Sequence, residues 1–542
     1  MRLSARGFVG SALLACTASV LSEAAATASN SSQTLRTCVS QALVAGDVNT
    51  RIIDPSNDTY TDARLGEKIQ FNEFPALIAY AKEADEVASL VRCAQRSGFK
   101  AVPRSGGHHS FEAWSALNGT LVIDLSHINH VNVSADTTTA TVGAGIRQGA
   151  LYLALDEHNV TFPGGICPTV ALGGLVSSGG FSLQMRALGL AAEYVQSARV
   201  VLADGSLVTA SSSSHEDLFW AIRGGGGGTY GIIVDFALQL MQFPTSAMVA
   251  ISWNASSDRY PVAQRFFDWA PVQIPAFTSQ VNVYKSSINF LGQYLGGTEN
   301  ELRKLINESG LLNIGTPTVY ISGNCDTDNS RLFGYTSYEC VPANETNRQI
   351  MNVLPEPFSQ YGDYPQYQYE NEPEDPSIPI AESWARFNRI SKSFFMQKDN
   401  ILPAADLKTV IDMMGQLDTD SEIWGEWHAW NISSATKADY AFPWREQAYA
   451  HLEFQVHGSL TNSTKQATYE KWFADLETYL RPKIGVASYS GEMDAHISTN
   501  PFESYYGDNV CRLVEVKKTY DPDNFFTNPD AITPTVPEGI SC

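Results

Sequence analysis

Three glycine clusters in the first half of the chain constrain its fold more than any other feature. The first is Arg104-Ser105-Gly106-Gly107-His108-His109. The second runs from Gly164-Gly165-Ile166-Cys167-Pro168 through Ala171-Leu172-Gly173-Gly174 to Ser178-Gly179-Gly180-Phe181. The third is Arg223 followed by Gly224 to Gly228. Glycine permits positive φ and close backbone approach, so amides from such loops can converge on an anion or a flat ring. Three of them in one domain predict a cradle for a diphosphate cofactor. Gly226-Gly227-Gly228-Thr229-Tyr230-Gly231 has the G-x-G-x-x-G spacing, but a helix is expected before it and a strand after it. That is the reverse of the dinucleotide-binding strand-to-helix turn, so a nicotinamide cofactor on a Rossmann fold is disfavoured. There is no G-x-S-x-G elbow and no H-E-x-x-H pair. His108-His109 lacks companion ligands at zinc spacing, and no metal is expected.

The 542 residues suit a large two-lobed enzyme, and 44% hydrophobic side chains supply its core. A formal charge of -22, spread diffusely, argues against a nucleic-acid or anionic-membrane partner. Residues 1–28 read as a signal peptide: basic Met1 to Arg6, apolar Phe8 to Leu21, then small residues to Ala28. No membrane span is expected. Ten Asn-X-Ser/Thr sequons (Asn30, Asn57, Asn118, Asn132, Asn159, Asn254, Asn307, Asn344, Asn431 and Asn462) support a secreted or secretory-lumen protein. Such a route permits disulfides. Loss of Cys16 with the signal leaves seven cysteines, so one has another task. Spacing favours two local staples, Cys325 with Cys340 and Cys511 with Cys542.

Periodicity predicts a helix over Asp85 to Gly98, with Val87, Leu90, Val91 and Ala94 on one face. Strands are expected at Lys100–Pro103 and Thr120–Leu125, and a hairpin of Tyr194–Ala203 and Leu207–Ala210 turns at Asp204-Gly205. Ser214 is the expected cap of a short helix, Glu216–Ile222, and a strand spans Gly231–Leu240. From about Pro244 the texture changes to longer loops and more aromatics, and Tyr361 to Pro379 reads as an irregular excursion. Two later runs alternate with the period of a strand. One carries Trp424, Glu426, His428 and Trp430 on one face. The other carries Tyr449, His451, Glu453, Gln455 and His457 on one face and Ala450, Leu452, Phe454 and Val456 on the other.

Together these motifs resemble the berberine-bridge-enzyme-like oxidases, within the flavoprotein superfamily of vanillyl alcohol oxidase and p-cresol methylhydroxylase. Arg104-Ser105-Gly106-Gly107-His108 matches the loop whose histidine is bonded to the flavin 8α-methyl. Cys167 in Gly165-Ile166-Cys167-Pro168 matches the cysteine bonded to C6. Arg223 to Ile233, then Tyr505-Tyr506-Gly507 and Tyr520 to Phe526, match later segments in the same order. The resemblance implies an α+β fold: a two-lobed FAD-binding (PCMH-type) domain over 70–243, plus a substrate domain over 244–490 whose antiparallel sheet is covered by helices. A berberine-bridge-like segment, 491–535, then returns to the first domain. It implies FAD attached bicovalently through His108 and Cys167, with Arg104, Ser105, Gly106, Gly107, Val170, Gly173, Gly174, Gly179, Gly180, Ile233, Asn524 and Phe525 about the cofactor. Valine at position 170 resembles the oxidase type, so O2 is the expected acceptor. The resemblance also suggests Cys38 with Cys93, making three disulfides and no free thiol.

The same likeness places a base on the polar strand face or on a tyrosine near the last strand. Tyr489 and Glu453 are the candidates, with His451 and Gln455 as orienting neighbours. Trp424, Trp427 and Trp430 could stack on a flat substrate but read better as core. Gly491 and Glu492 depart from the family's A-Y-x-N-Y-x-D stretch, and Trp444 stands where a histidine often precedes the arginine. Ser178 and Ser182 occupy usual glycine positions. These departures favour a small natural product over a sugar as substrate. An oligosaccharide oxidase forming lactones is the second reading, and a flavin-loaded protein without its own substrate is the third. A monomer is expected.

Overall fold

The structure, a computed structural model, describes residues 31–44, 48–66, 73–109, 116–167, 170–242, 244–323, 389–417, 422–432, 439–457 and 463–542. The signal peptide, the sequons at Asn30, Asn344 and Asn462, the Cys325–Cys340 staple, Pro168 and the Tyr361–Pro379 excursion lie outside these residues.

After an N-terminal helical segment over 31–42, the first sheet has four strands in the order β1-β2-β4-β3: β1 (Ile52–Ile53), β2 (Leu77–Tyr80), β3 (Ala101–Arg104) and β4 (Leu121–Asp124). β2, β4 and β3 run parallel, which requires a crossover between β2 and β3. Helix α1 (Ala84–Arg96) supplies it, burying the expected face of Val87, Leu90, Val91 and Ala94. The return from β3 to β4 carries the first glycine cluster. A second sheet, of order β5-β6-β10-β8-β9, is antiparallel throughout: β5 (Val131–Val133), β6 (Thr139–Gly143), β8 (Val195–Val201), β9 (Leu207–Ser211) and β10 (Ile232–Gln239). A two-stranded ribbon of β7 (Val160–Thr161) and β11 (Met241–Gln242) closes this lobe. Between strands lie α2 (Gln148–Asp156), α3 (Leu172–Ser177), α4 (Met185–Leu188) and α5 (Glu216–Ala221). The β8–β9 hairpin turns at Asp204-Gly205 as expected, with Val201 opposite Leu207. The cap of α5 is corrected: it is His215, at φ 50, not Ser214. Ser214 is committed to the preceding hairpin, its carbonyl accepting the Ser211 amide at 2.7 Å, so the chain turns into the helix one residue later.

The second lobe is one antiparallel sheet of seven strands, order β15-β12-β14-β13-β17-β18-β16. These are β12 (Ser246–Trp253), β13 (Phe277–Tyr284), β14 (Ile288–Leu295), β15 (Thr318–Ser322), β16 (Arg389–Gln397), β17 (Glu422–Ala429) and β18 (Ala448–His457). Alternation places Val281, Trp427, Leu452, Phe454 and Phe394 on one face, packed under α6 (Arg259–Trp269), α7 (Glu299–Ser309), α8 (Ala404–Gly415) and α9 (Ser463–Ile484). The opposite face is polar and turns toward the first lobe. After α9 the chain returns: α10 (Pro501–Tyr506) and α11 (Val510–Tyr520) join the first lobe's core through Tyr505, Tyr506, Leu513, Phe525 and Phe526. Buried Lys517 donates to the carbonyls of Thr229 and Phe526, each at 2.6 Å, and pairs with Asp521 at 2.7 Å. Disulfides Cys38–Cys93 and Cys511–Cys542 join the N-terminal helical segment to α1 and the chain end to α11. Among the described residues no helix is long and apolar enough to cross a membrane.

Arg186 on α4 locks the lobes together. Its buried guanidinium donates to the carbonyls of Ala270, Pro271, Gln273 and Phe277 at 2.6–3.1 Å, all on the chain leading into β13. Burial pushes its pKa down to about 10, so the charge is retained at neutral pH. Arg186→Met should leave these buried acceptors without their donor and cost about 3 kcal/mol. Denaturant unfolding followed by tryptophan fluorescence measures this, and an unchanged midpoint would contradict the interlobe role.

Candidate active site

The first glycine cluster follows β3 directly, so its position is set by that strand. Arg104, the last residue of β3, is buried and turned away from the cradle: its guanidinium pairs with Asp124 and donates to Ala63 O at 2.6 Å. It anchors the loop, while the following residues reach outward. The carbonyl of Ala144 draws two clusters together, accepting Ser105 Oγ–H at 2.6 Å and the Gly173 amide at 2.9 Å. At Gly106 a Cβ would lie 2.9 Å from both Cβ and N of Ala171, so only glycine permits this approach. The loop continues through Gly107 to His108, whose Nε2 lies 3.9 Å from Cys167 Sγ. Residues far apart in sequence are thereby brought together, and Cys167 stands outside both disulfides.

Val170 sits in the turn after Cys167, its amide donating to Cys167 O at 3.3 Å and its carbonyl accepting the Gln148 amide at 2.9 Å. Gly173 and Gly174 lie on α3, and a Cβ on Gly174 would meet open space. The third cluster is tied to the second by the Gly226 amide, which donates to Ser177 O at 3.0 Å. Ile233 is buried on β10. Asn524 and Phe525 lie apart from His108, at the Lys100 end of β3: Lys100 Nζ donates to Asn524 O at 2.6 Å and the Phe525 amide donates to Asp521.

The second part of the site is the polar sheet face. Register places Glu426 opposite Glu453 and His428 opposite His451, with Ser393 and Phe395 beyond on β16 and Asn282 and Gln280 on β13. His451 is fully buried, with Nδ1 3.4 Å from His428 Nδ1 and Nε2 3.1 Å from Glu492 Oε2. His428 Nε2 lies 3.2 Å from Glu426 Oε1, but off the line of a hydrogen bond. Tyr489 is held by its amide on Ser393 Oγ at 3.2 Å, and its hydroxyl oxygen accepts the Gly180 amide at 3.3 Å. That bond connects the glycine loops to the sheet face. Phe181, next in the same loop, packs its ring against His428, His451 and Tyr489 at centroid distances of 5.0–5.2 Å.

Burial dominates the electrostatics of this face. It pushes His451 down to about 4, against the opposing charges of Glu453 and Glu426, so the imidazole is neutral near pH 7. Burial, then the charges of Glu492 and Glu426, pushes Glu453 up to about 8. Burial also raises the Tyr489 phenol well above its ordinary range. Near neutral pH Glu453 and Tyr489 therefore both present O–H groups, and His451 presents a neutral ring.

Residues 75–211 match the family model described as an FAD binding domain, and residues 488–533 match the model described as berberine and berberine like. The chain belongs to the berberine-bridge-enzyme-like FAD-linked oxidoreductases. It is 98% identical over 542 residues, the whole of both chains, to the FAD-linked oxidoreductase pynB of Aspergillus niger. It is 55% identical over 517 residues to the FAD-linked oxidoreductase pytB of Aspergillus terreus, covering 95% of this chain but 63% of that relative. A xylooligosaccharide oxidase from Myceliophthora thermophila, solved with xylobiose, shares the fold at TM-score 0.74 and 22% identity, over 93% of this chain and 99% of that one.

Within this FAD-linked oxidoreductase, the sheet face holds more chemistry than the candidate list of Tyr489, Glu453 and His451. His428 and Glu426 lie beside them, legible beforehand only as part of an alternating face. Glu492, at a position marked as a departure from the family pattern, sits on His451. Phe181 was concealed within a glycine patch. Of the tryptophans, Trp427 and Trp430 are core, whereas Trp424 is partly exposed and stacks on Tyr284. Trp444 donates its indole N–H to Ser504 O at 2.9 Å, joining the sheet lobe to the returning segment.

The raised Glu453 carries a stability signature. The fold holds this proton from the ordinary carboxylate value of 4.5 up to about 8, whereas the unfolded chain releases it. Its contribution to stability is thus intact below 4.5 and is lost as pH rises through that window. Glu453→Gln should remove the loss, so its melting temperature should gain on wild type at pH 8.5 relative to pH 5. An equal difference at both pH values would count against a proton-holding Glu453.

Proposed function

We propose that the chain is a secreted oxidase that removes a hydride from an alcohol or activated C–H of a small natural product and passes the electrons to O2, releasing hydrogen peroxide. The observation that carries the reading is the 3.9 Å approach of His108 to Cys167 where the first two glycine clusters meet. Two nucleophilic side chains brought together suit bonds to the 8α-methyl and to C6 on the same edge of one flavin ring, and FAD attached to both is the cofactor state proposed here. The flavin, when bound, supplies the two-electron acceptor.

The chain's own residues supply the rest. Ser105, Gly106, Gly107, Gly173, Gly174, Gly179, Gly180 and Ile233 line the cradle, Arg104 anchors it, and Asn524 and Phe525 brace its far end. Val170, beside Cys167, leaves room for O2. Tyr489 and Glu453 hold the substrate oxygen, His451 orients them, and Glu453 takes the substrate proton once ionised. The proposed division is a signal peptide over 1–28, a cofactor domain over 70–243, a substrate domain over 244–490 and a returning segment over 491–535. Export is supported by the exposed sequons Asn118, Asn132, Asn159, Asn254 and Asn307 and by the two disulfides. Asn431 is a poorer acceptor, because its amide already donates to Pro271 O at 2.7 Å. The protein acts as a monomer in this reading.

A second reading, an oligosaccharide oxidase forming lactones, draws support from the fold shared with the xylooligosaccharide oxidase. Against it stand Trp444, Gly491 and Glu492, which change the sugar-oxidising pattern.

Acid precipitation tests the attachment. Wild type should keep its flavin in the pellet, His108→Ala and Cys167→Ala should each keep it through the other bond, and the double variant should release it. Flavin in the wild-type supernatant would rule out a covalent bond. Peroxide release on a panel of aromatic and aliphatic alcohols should exceed that on cello- and xylo-oligosaccharides, and the reverse order would select the second reading. With a responding alcohol, kcat/KM should rise with pH toward a plateau above about 8 as Glu453 ionises. Glu453→Gln should remove that rise and lower the rate above it by about 100-fold.

A further inference from the structure

Four titratable groups stand in line on the polar face: Glu492, His451, His428 and Glu426. The spacings are 3.1 Å from Glu492 Oε2 to His451 Nε2, 3.4 Å between the two Nδ1 atoms, and 3.2 Å from His428 Nε2 to Glu426 Oε1. Both imidazoles are at least 99% buried. Of the four ring nitrogens, His428 Nε2 is the buried one without an aligned hydrogen bond among the described residues.

Counting hydrogens along this line fixes a direction. Only one hydrogen can occupy the edge between the two Nδ1 atoms. A carboxylate at Glu492 draws the N–H of His451 to Nε2, and burial keeps that ring neutral. His451 Nδ1 is then bare and accepts the Nδ1–H of His428. His428 Nε2 then keeps a buried lone pair beside the Phe181 ring, with Glu426 Oε1 3.2 Å away but out of hydrogen-bond line.

The geometry points to a proton relay in which His428 Nε2 accepts the hydroxyl proton of an alcohol substrate and Glu492 receives a proton at the far end. The substrate O–H bond breaks as the His428 Nε2–H bond forms. The Nδ1–H of His428 passes to His451 Nδ1, and the Nε2–H of His451 passes to the Glu492 carboxylate. Each ring gains one hydrogen and loses one, so the charge of neither ring changes, and one proton has moved from substrate to Glu492. The hydride lost from the carbinol carbon in the same oxidation would be taken up by the flavin, the two-electron acceptor that the glycine loops, His108 and Cys167 would hold. The relay rests on the oxidase reading above and extends it to neutral pH, where Glu453 still holds its proton. The other ionisable groups bearing on the line are Glu453 on β18, Tyr489 on the loop after α9, and Arg389 on β16, whose charge acts on Glu453.

The test is nitrogen NMR of deuterated holoenzyme carrying 15N-histidine, with His428→Gln and His451→Gln used for assignment. At pH 7, His451 should be the Nε2–H tautomer and His428 the Nδ1–H tautomer. The opposite pair of tautomers, or a doubly protonated His451, would overturn the relay. With an alcohol that releases peroxide, Glu492→Gln should lower kcat at pH 7 by about 100-fold, leaving KM and the flavin spectrum unchanged. Wild-type turnover in that variant would also overturn it. Should no alcohol be oxidised, the oxidase reading fails, and the tautomers decide separately whether the line is ordered as stated.

Discussion

A polar sheet face closed against another lobe is the constraint on which the rest of this structure depends. Side chains on such a face cannot turn to water, so each must find a partner on a neighbouring strand or in the opposing loops. The rows Gln280–His428–His451 and Asn282–Glu426–Glu453–Ser393 follow from strand register alone. The opposite parity of the same strands gives the apolar face under α6, α7, α8 and α9. One alternation therefore provides both the core of the second lobe and the chemistry of the site, and a one-residue slip in β17 or β18 would destroy both.

The loop that completes the face is fixed from behind. Lys392 on β16 is buried with Glu477 of α9 and Asp494, and Arg481 of α9 joins Glu477 to Ser488 Oγ. Ser488 in turn donates to Ser393 O at 2.9 Å, and Tyr489 follows it. Removing one charge from such a cluster leaves the others buried and unpaired, which is why the cluster holds its geometry. The position of Tyr489 and Glu492 is thus set by α9, a helix whose other face is core. On the first lobe, Ala144 O performs the equivalent task by joining two glycine clusters with two hydrogen bonds.

Much of this was legible in the sequence, for physical reasons that differ by region. Val87, Leu90, Val91 and Ala94 announced α1 because helical period and burial coincide there. The β17 and β18 faces were readable because a half-buried strand alternates. The meeting of His108 with Cys167 was legible only through resemblance, since no local pattern links residues joined by a crossover. The cap at His215 was missed because the Ser211–Ser214 backbone pair outweighs the capping preference of serine. The role of Glu492 was hidden for another reason. Its neighbours in sequence do not reveal that a short turn after Tyr489 lays it on a histidine from β18.

The site also explains where the acidic character of the chain matters. Among the described residues many of the acidic side chains are exposed, but Glu426, Glu453 and Glu492 share one largely buried face. Burial first, and then the charges of Glu492 and Glu426, push the Glu453 carboxyl upward, so the three acids do not all ionise together near neutral pH. Two imidazoles placed between carboxyls relieve part of this repulsion, because a ring can accept at one nitrogen and donate at the other. A face built only of carboxyls would have to hold extra protons, and one built only of histidines would have no terminal acceptor. A pair of imidazoles between two acids lets a buried face pass a proton without creating a new isolated charge.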